Sequence, residues 1–139
     1  MFKSKKIISS LLLLAMTLFA VPAFAQDYMG RYWGAVAFDK KTGLGGGSWD
    51  YNNQEDAEEA ALGSCIEKHK DKSNGCRIIT AFYNGCVAVY WSPKEKEGGW
   101  GYSDYNAQQA EARAETACID QGGGRCQQQM SFCTTMVFY

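Results

Sequence analysis

The chain has 139 residues with 14 Lys+Arg against 15 Asp+Glu, one His, six Cys and an aromatic share of 14%. This near-even charge balance offers no basic face, which argues against nucleic acid as a partner and against docking on anionic lipid. The length suits one compact domain with a single core.

The N-terminus is read first. Lys3, Lys5 and Lys6 precede an apolar run from Ile7 to Ala20, followed by Pro22 and Ala23-Phe24-Ala25. This order is that of a secretory signal peptide, expected over residues 1–25 and cleaved before Gln26. The apolar run is shorter than the about 20 residues needed to cross a bilayer. No cysteine stands at the cut to carry a lipid anchor. Residues 26–139 are therefore expected to be one periplasmic or secreted domain, weakly acidic once the three lysines are lost, with no membrane insertion after cleavage.

Two similar stretches follow, about 33–82 and 86–139. The first holds a strand at Gly34–Phe38, a turn at Thr42-Gly43 and a second strand at Gly47–Asn52. A helix from about Gln54 to His69 and a strand at Cys76–Phe82 complete it. The second holds strands at Cys86–Tyr90 and Trp100–Asn106, a helix at about Ala107–Asp120 and a strand at Cys126–Phe132. Asp-Tyr-Asn precedes both alanine-rich stretches, and Ala57-Glu58 and Ala61 match Ala110-Glu111 and Ala114. Asn53 and Asn106 stand where helix N-caps belong. Asn84-Gly85 reads as a hairpin between the units. Ala57, Ala60, Ala61 and Ser64, then Ala110, Ala114 and Ala117, form narrow faces that let a helix approach a sheet closely. The predicted fold is α+β: two ββαβ repeats about a pseudo-twofold, an antiparallel-rich sheet with two helices packed on one face.

Six cysteines in a small exported chain read as a disulfide framework. Zinc would call for closely spaced cysteine pairs or nearby histidines; no two cysteines are that close, and the one histidine is His69. The repeat suggests Cys65–Cys76 and Cys118–Cys126, each tying a helix end to the next strand. Cys86–Cys133 is left by elimination and is expected to link the halves.

These residues resemble a bacterial family known as domain of unknown function 4189. The resemblance rests on Trp33-Gly34-Ala35, on the glycine-aromatic strand and alanine-rich helix spanning Trp49 to Cys65 and again Trp100 to Cys118, and on Asn84-Gly85-Cys86. It covers nearly the whole mature chain. It implies an exported, cysteine-paired α+β domain and no accepted catalytic mechanism. Gln127-Gln128-Gln129 departs from the apolar strand that Arg77-Ile78-Ile79 leads one to expect.

No catalytic set is evident. His69, in Lys68-His69-Lys70-Asp71-Lys72, is read as a cation at a helix end. The glycine runs lack the lysine and hydroxyl residue of a phosphate loop. Glu55, Glu58, Glu59, Glu111 and Glu115 are read as solvated helix faces. Met136-Val137-Phe138-Tyr139 is read as an ordinary last strand. The surplus is aromatic, and Trp49, Trp100 and Tyr102 are the residues expected to bind. The expected function is an exported interaction module for an envelope glycan or a protein partner, with no cofactor and no metal. An immunity-type inhibitor of a toxin and an envelope hydrolase are the alternatives. The hydrolase requires a cleft with at least two perturbed titratable groups.

Overall fold

The computed structural model describes residues 31–70 and 75–137, so the signal peptide expected over residues 1–25 lies outside the described residues. The chain runs β1 (Trp33–Asp39), β2 (Leu44–Tyr51), α1 (Gln54–Glu67), β3 (Arg77–Tyr83), β4 (Cys86–Ser92), β5 (Glu97–Ser103), α2 (Ala107–Asp120) and β6 (Gln127–Cys133). It is an α+β fold of two ββαβ units. The strands divide into two three-stranded antiparallel sheets, one per unit, ordered β2-β1-β3 and β5-β4-β6.

The division follows from the side chains of the central strands. Along β1, Ala35 and Ala37 lie under α1 while Val36 and Phe38 enter a second core. Along β4, Ala88 lies under α2 while Val87, Val89 and Trp91 enter that same second core. A strand apolar on both faces must be covered twice. Here a helix covers the small-residue face and the other sheet covers the large-residue face.

Each helix buries a stripe at i, i+4, i+8: Ala57, Ala61 and Cys65 in α1, Ala110, Ala114 and Cys118 in α2. The neighbouring edge strand offers glycine where the helix comes closest. A Cβ on Gly46 would lie 2.3 Å from the Cys65 amide nitrogen, and one on Gly99 would lie 2.2 Å from that of Cys118. The helices start on true caps. Asn53 Oδ1 accepts the Asp56 N–H at 2.8 Å, and Asn106 Oδ1 accepts the Gln109 N–H at 2.8 Å.

Disulfides join Cys65 to Cys76, Cys118 to Cys126 and Cys86 to Cys133. The first two tie each helix end to the segment entering β3 or β6. The third does not link the halves. Cys86 and Cys133 face each other across β4 and β6, within the second sheet. At the matching place in the first sheet, Trp33 and Tyr83 face each other, with ring centroids 5.1 Å apart.

Three further expectations change. Asn84-Gly85 is no hairpin, because β3 and β4 belong to different sheets. Asn84 takes φ 48° and passes the chain from one sheet to the other. The recurring Asp-Tyr-Asn is out of step by one residue, and Asn53, not Asn52, is the counterpart of Asn106. A bulge in β2 absorbs the extra residue, where Asp50 takes φ 60° and the β1–β2 register shifts. The chain end is not a strand through Val137. β6 stops at Cys133, and Thr134 then bonds Gly85 while Thr135 bonds Asp50. Phe138 and Tyr139 lie outside the described residues. The three glutamines, Gln127 to Gln129, keep strand geometry with their side chains exposed.

Gly46→Ala is expected to lower stability by about 1–3 kcal/mol, because backbone atoms of α1 fill the space. Gly63→Ala, on a helix position with nothing within 4 Å, is expected to raise it by up to about 1 kcal/mol. Urea unfolding of the oxidised protein separates the two signs.

Candidate functional site

The two sheets close on one side and stay apart on the other. On the closed side, β6 presents Met130 and Phe132 to β2. A Cβ on Gly45 would sit 2.5 Å from Met130 Cε, and one on Gly47 would sit 2.6 Å from Phe132. On the other side, β3 faces β5. There Thr80 holds the place of Met130, and Trp100 holds the place of Gly47. A short side chain facing a long one leaves a gap.

Next to it, between β3 and β5, lies a cleft of about 530 Å³ that shares Trp100. Phe38, Ile79 and Val89 line its apolar part, and Trp100 stands at its mouth with 42% of its surface exposed. Lys40, Lys41 and Arg77 ring it with positive charge. Lys40 is held by Glu97 at 3.2 Å across the cleft end, whereas Lys41 and Arg77 are exposed. A second hollow continues along the same edge past Thr80, Phe82 and Tyr102 and shares Trp100. Tyr102 donates to the Tyr83 carbonyl at 3.2 Å, bridging the sheets. Burial, then the nearby Asp104 charge and Tyr83, raise its hydroxyl pKa and keep it a donor.

The cationic rim is positioned by Asp39, at the end of β1. Asp39 Oδ1 accepts the Lys41 N–H at 3.0 Å, and Oδ2 accepts the Gly75 N–H at 3.2 Å. His69 Nε2 lies 2.8 Å from Oδ2, and both side chains are only 5% exposed. The other ring nitrogen, Nδ1, lies 3.0 Å from the Cys65 carbonyl. Both ring nitrogens therefore sit at hydrogen-bond distance from an oxygen acceptor. One carboxylate thus fastens the β1–β2 turn, the end of α1 and the approach to β3.

Burial alone raises the Asp39 pKa. Hydrogen bonds from His69, Lys41, Gly75 and Thr42 outweigh it and bring the carboxyl down to about 2.

Of the residues expected to bind, the structure brings Trp100 and Tyr102 together on β5. Trp49 is 57% exposed but lies on the opposite edge, against Phe132 at 5.7 Å between centroids. Sequence reasoning places His69 at a helix end, in a charged loop, and so leads one to expect it in solvent. The structure instead buries its side chain on Asp39, a residue that carried no signal beyond its place at a strand end. Lys41 and Arg77 were also missed, because separate segments supply them.

The Asp39 carboxyl is depressed in the folded state, so its contribution is full above its ordinary value of 3.8 and fades as the pH falls toward 2. Thermal melts between pH 5 and pH 2 are expected to show this loss in the wild type, about 2 kcal/mol in size. In Asp39→Asn that acid-dependent step is absent and stability is already lower at pH 7.

The chain matches none of the curated proteins and none of the solved structures. Residues 33–133, which span both sheets and both helices, match the family described as Domain of unknown function (DUF4189), and the chain belongs to that family.

Proposed function

We propose that this protein is an exported binding module whose ligand is an envelope glycan bearing carboxylates, held in the cleft between β3 and β5. The observation that carries the reading is Trp100, half exposed above a cleft rimmed by Lys41 and Arg77. An indole face stacks on a sugar ring, and a guanidinium takes a carboxylate in two parallel hydrogen bonds. Export is supported by the signal-like N-terminus and by three disulfides, which persist in oxidising compartments. Among the described residues, no helix is long and apolar enough to cross a membrane.

The hydrolase alternative has less support. Among the described residues lining the cleft, Asp39 is the one carboxylate. Its oxygens already accept from His69, Lys41 and Gly75, which makes it a poor proton donor.

Calorimetric titration with soluble peptidoglycan fragments, and with a neutral chitooligosaccharide of equal length, tests the proposal. The acidic ligand is expected to bind more tightly. Trp100→Ala is expected to weaken both about 10-fold or more, which corresponds to the 1–2 kcal/mol of an aromatic contact. Arg77→Ala with Lys41→Ala is expected to remove the preference for the acid, and Trp49→Ala to leave binding unchanged. Equal losses from Trp49→Ala and Trp100→Ala, or no binding of either ligand, would sink the reading.

A further inference from the structure

The end of α1 and the approach to β3 bring three possible metal donors together. Cys65, His69 and Cys76 each offer one ligand atom, and these atoms all lie within 4.8 Å of one another. We propose that reduction of the Cys65–Cys76 bridge opens a zinc site built from both sulfurs and His69 Nδ1, with Asp39 orienting the ring from its other nitrogen.

Three features carry this. The first is distance. His69 Nδ1 lies 3.7 Å from Cys76 Sγ. Zinc bonds of about 2.3 Å to sulfur and 2.0–2.1 Å to nitrogen, at a tetrahedral angle, place those donors about 3.6 Å apart. His69 stands two residues past the end of α1, where its N–H bonds the Ile66 carbonyl at 3.0 Å and the ring turns back toward Cys65.

The second is the support behind the ring. His69 Nε2 meets Asp39 Oδ2 at 2.8 Å, and backbone N–H groups of Lys41 and Gly75 fix that carboxylate in turn. A carboxylate behind a histidine is how zinc ligands are oriented and made more basic.

The third is the comparison built into the molecule. In the second unit, Cys118–Cys126 ties the same helix end to the same strand, with Cα atoms 6.2 Å apart against 6.1 Å for Cys65–Cys76. There Gly122 holds the place of His69, its N–H reaching Ile119 as that of His69 reaches Ile66. Ser92 holds the place of Asp39. A bridge of this shape therefore needs neither histidine nor aspartate.

The chemistry balances with a dithiol as reductant. Its two sulfurs join as a disulfide, the Cys65–Cys76 bond breaks, and two thiols form. Zinc then displaces the two thiol protons and the Nδ1 proton to water, while Nε2–H stays on Asp39. Three protein ligands leave the fourth tetrahedral position to water. Cys76 precedes β3 outside any helix or strand, so its sulfur can separate from Cys65 without breaking a ladder.

The test uses the mature chain, reduced with a phosphine that does not bind zinc, with zinc quantified by a competing chromophoric chelator. Cobalt serves as a spectroscopic probe, and alkylation mapping shows which bridge has opened. One zinc per reduced chain is expected, with sulfur-to-cobalt absorption, and none on the oxidised chain. His69→Gln is expected to weaken binding at least 100-fold and Asp39→Asn about 10–100-fold. Cys118→Ser with Cys126→Ser is expected to leave it intact. If reduction unfolds the chain, zinc is expected to restore its circular dichroism in wild type but not in His69→Gln. Absence of zinc binding by the reduced wild type, or equal binding by His69→Gln, overturns the proposal.

Discussion

The closeness of each helix to its sheet is the constraint on which the other features depend. At the point of closest approach a single added carbon would collide with the helix backbone, so the edge strands carry Gly46 and Gly99. The same closeness is met by Ala35, Ala37 and Ala88 on the central strands, and by alanine and cysteine in the helix stripes. Such thin contacts bury little apolar area per residue. The bulk of the core is therefore placed between the sheets, where Val36, Phe38, Phe82, Val87, Val89 and Trp91 meet. The disulfides at the helix ends compensate for the rest by restricting the unfolded chain.

What distinguishes this molecule lies where its two units differ. Met130 and Phe132 seal one edge of the sandwich, while hollows lined by Trp100 and, in one of them, Thr80 mark the other. Ser92 and Gly122 form a plain turn and helix end in the second unit. Asp39 and His69 occupy those places in the first, and there they order the loops that carry Lys41 and Gly75. Shared features build the scaffold, and the differing ones build the cleft and its rim.

Much of the scaffold was legible in the sequence. Strand periodicity, asparagine caps and alanine stripes are local signals, and all eight elements are set by them. The partition into two sheets was less legible. Asn84-Gly85 looks like a hairpin locally, and only the apolar character of both faces of β1 and β4 shows that a second sheet must cover each. The bulge at Asp50 was hidden because the Asp-Tyr-Asn motif suggested a register that the backbone does not keep. The cleft was barely legible. Trp100 and Tyr102 were marked by their chemistry, but Lys41, Arg77 and the Asp39–His69 pair meet only through long-range packing. Trp49 has the same chemistry as Trp100 and lies on the opposite edge, a distinction that no local pattern encodes.

The facing pairs Trp33–Tyr83 and Cys86–Cys133 give the molecule two kinds of fastener at equivalent sites. An indole and a phenol packed at a tilt of 59° hold by contact alone and loosen as thermal motion grows. A covalent sulfur pair holds until electrons are supplied, and then lets go altogether. Within these two pairs, heat therefore loosens the first and electron donors open the second, so equivalent sites answer to different stresses.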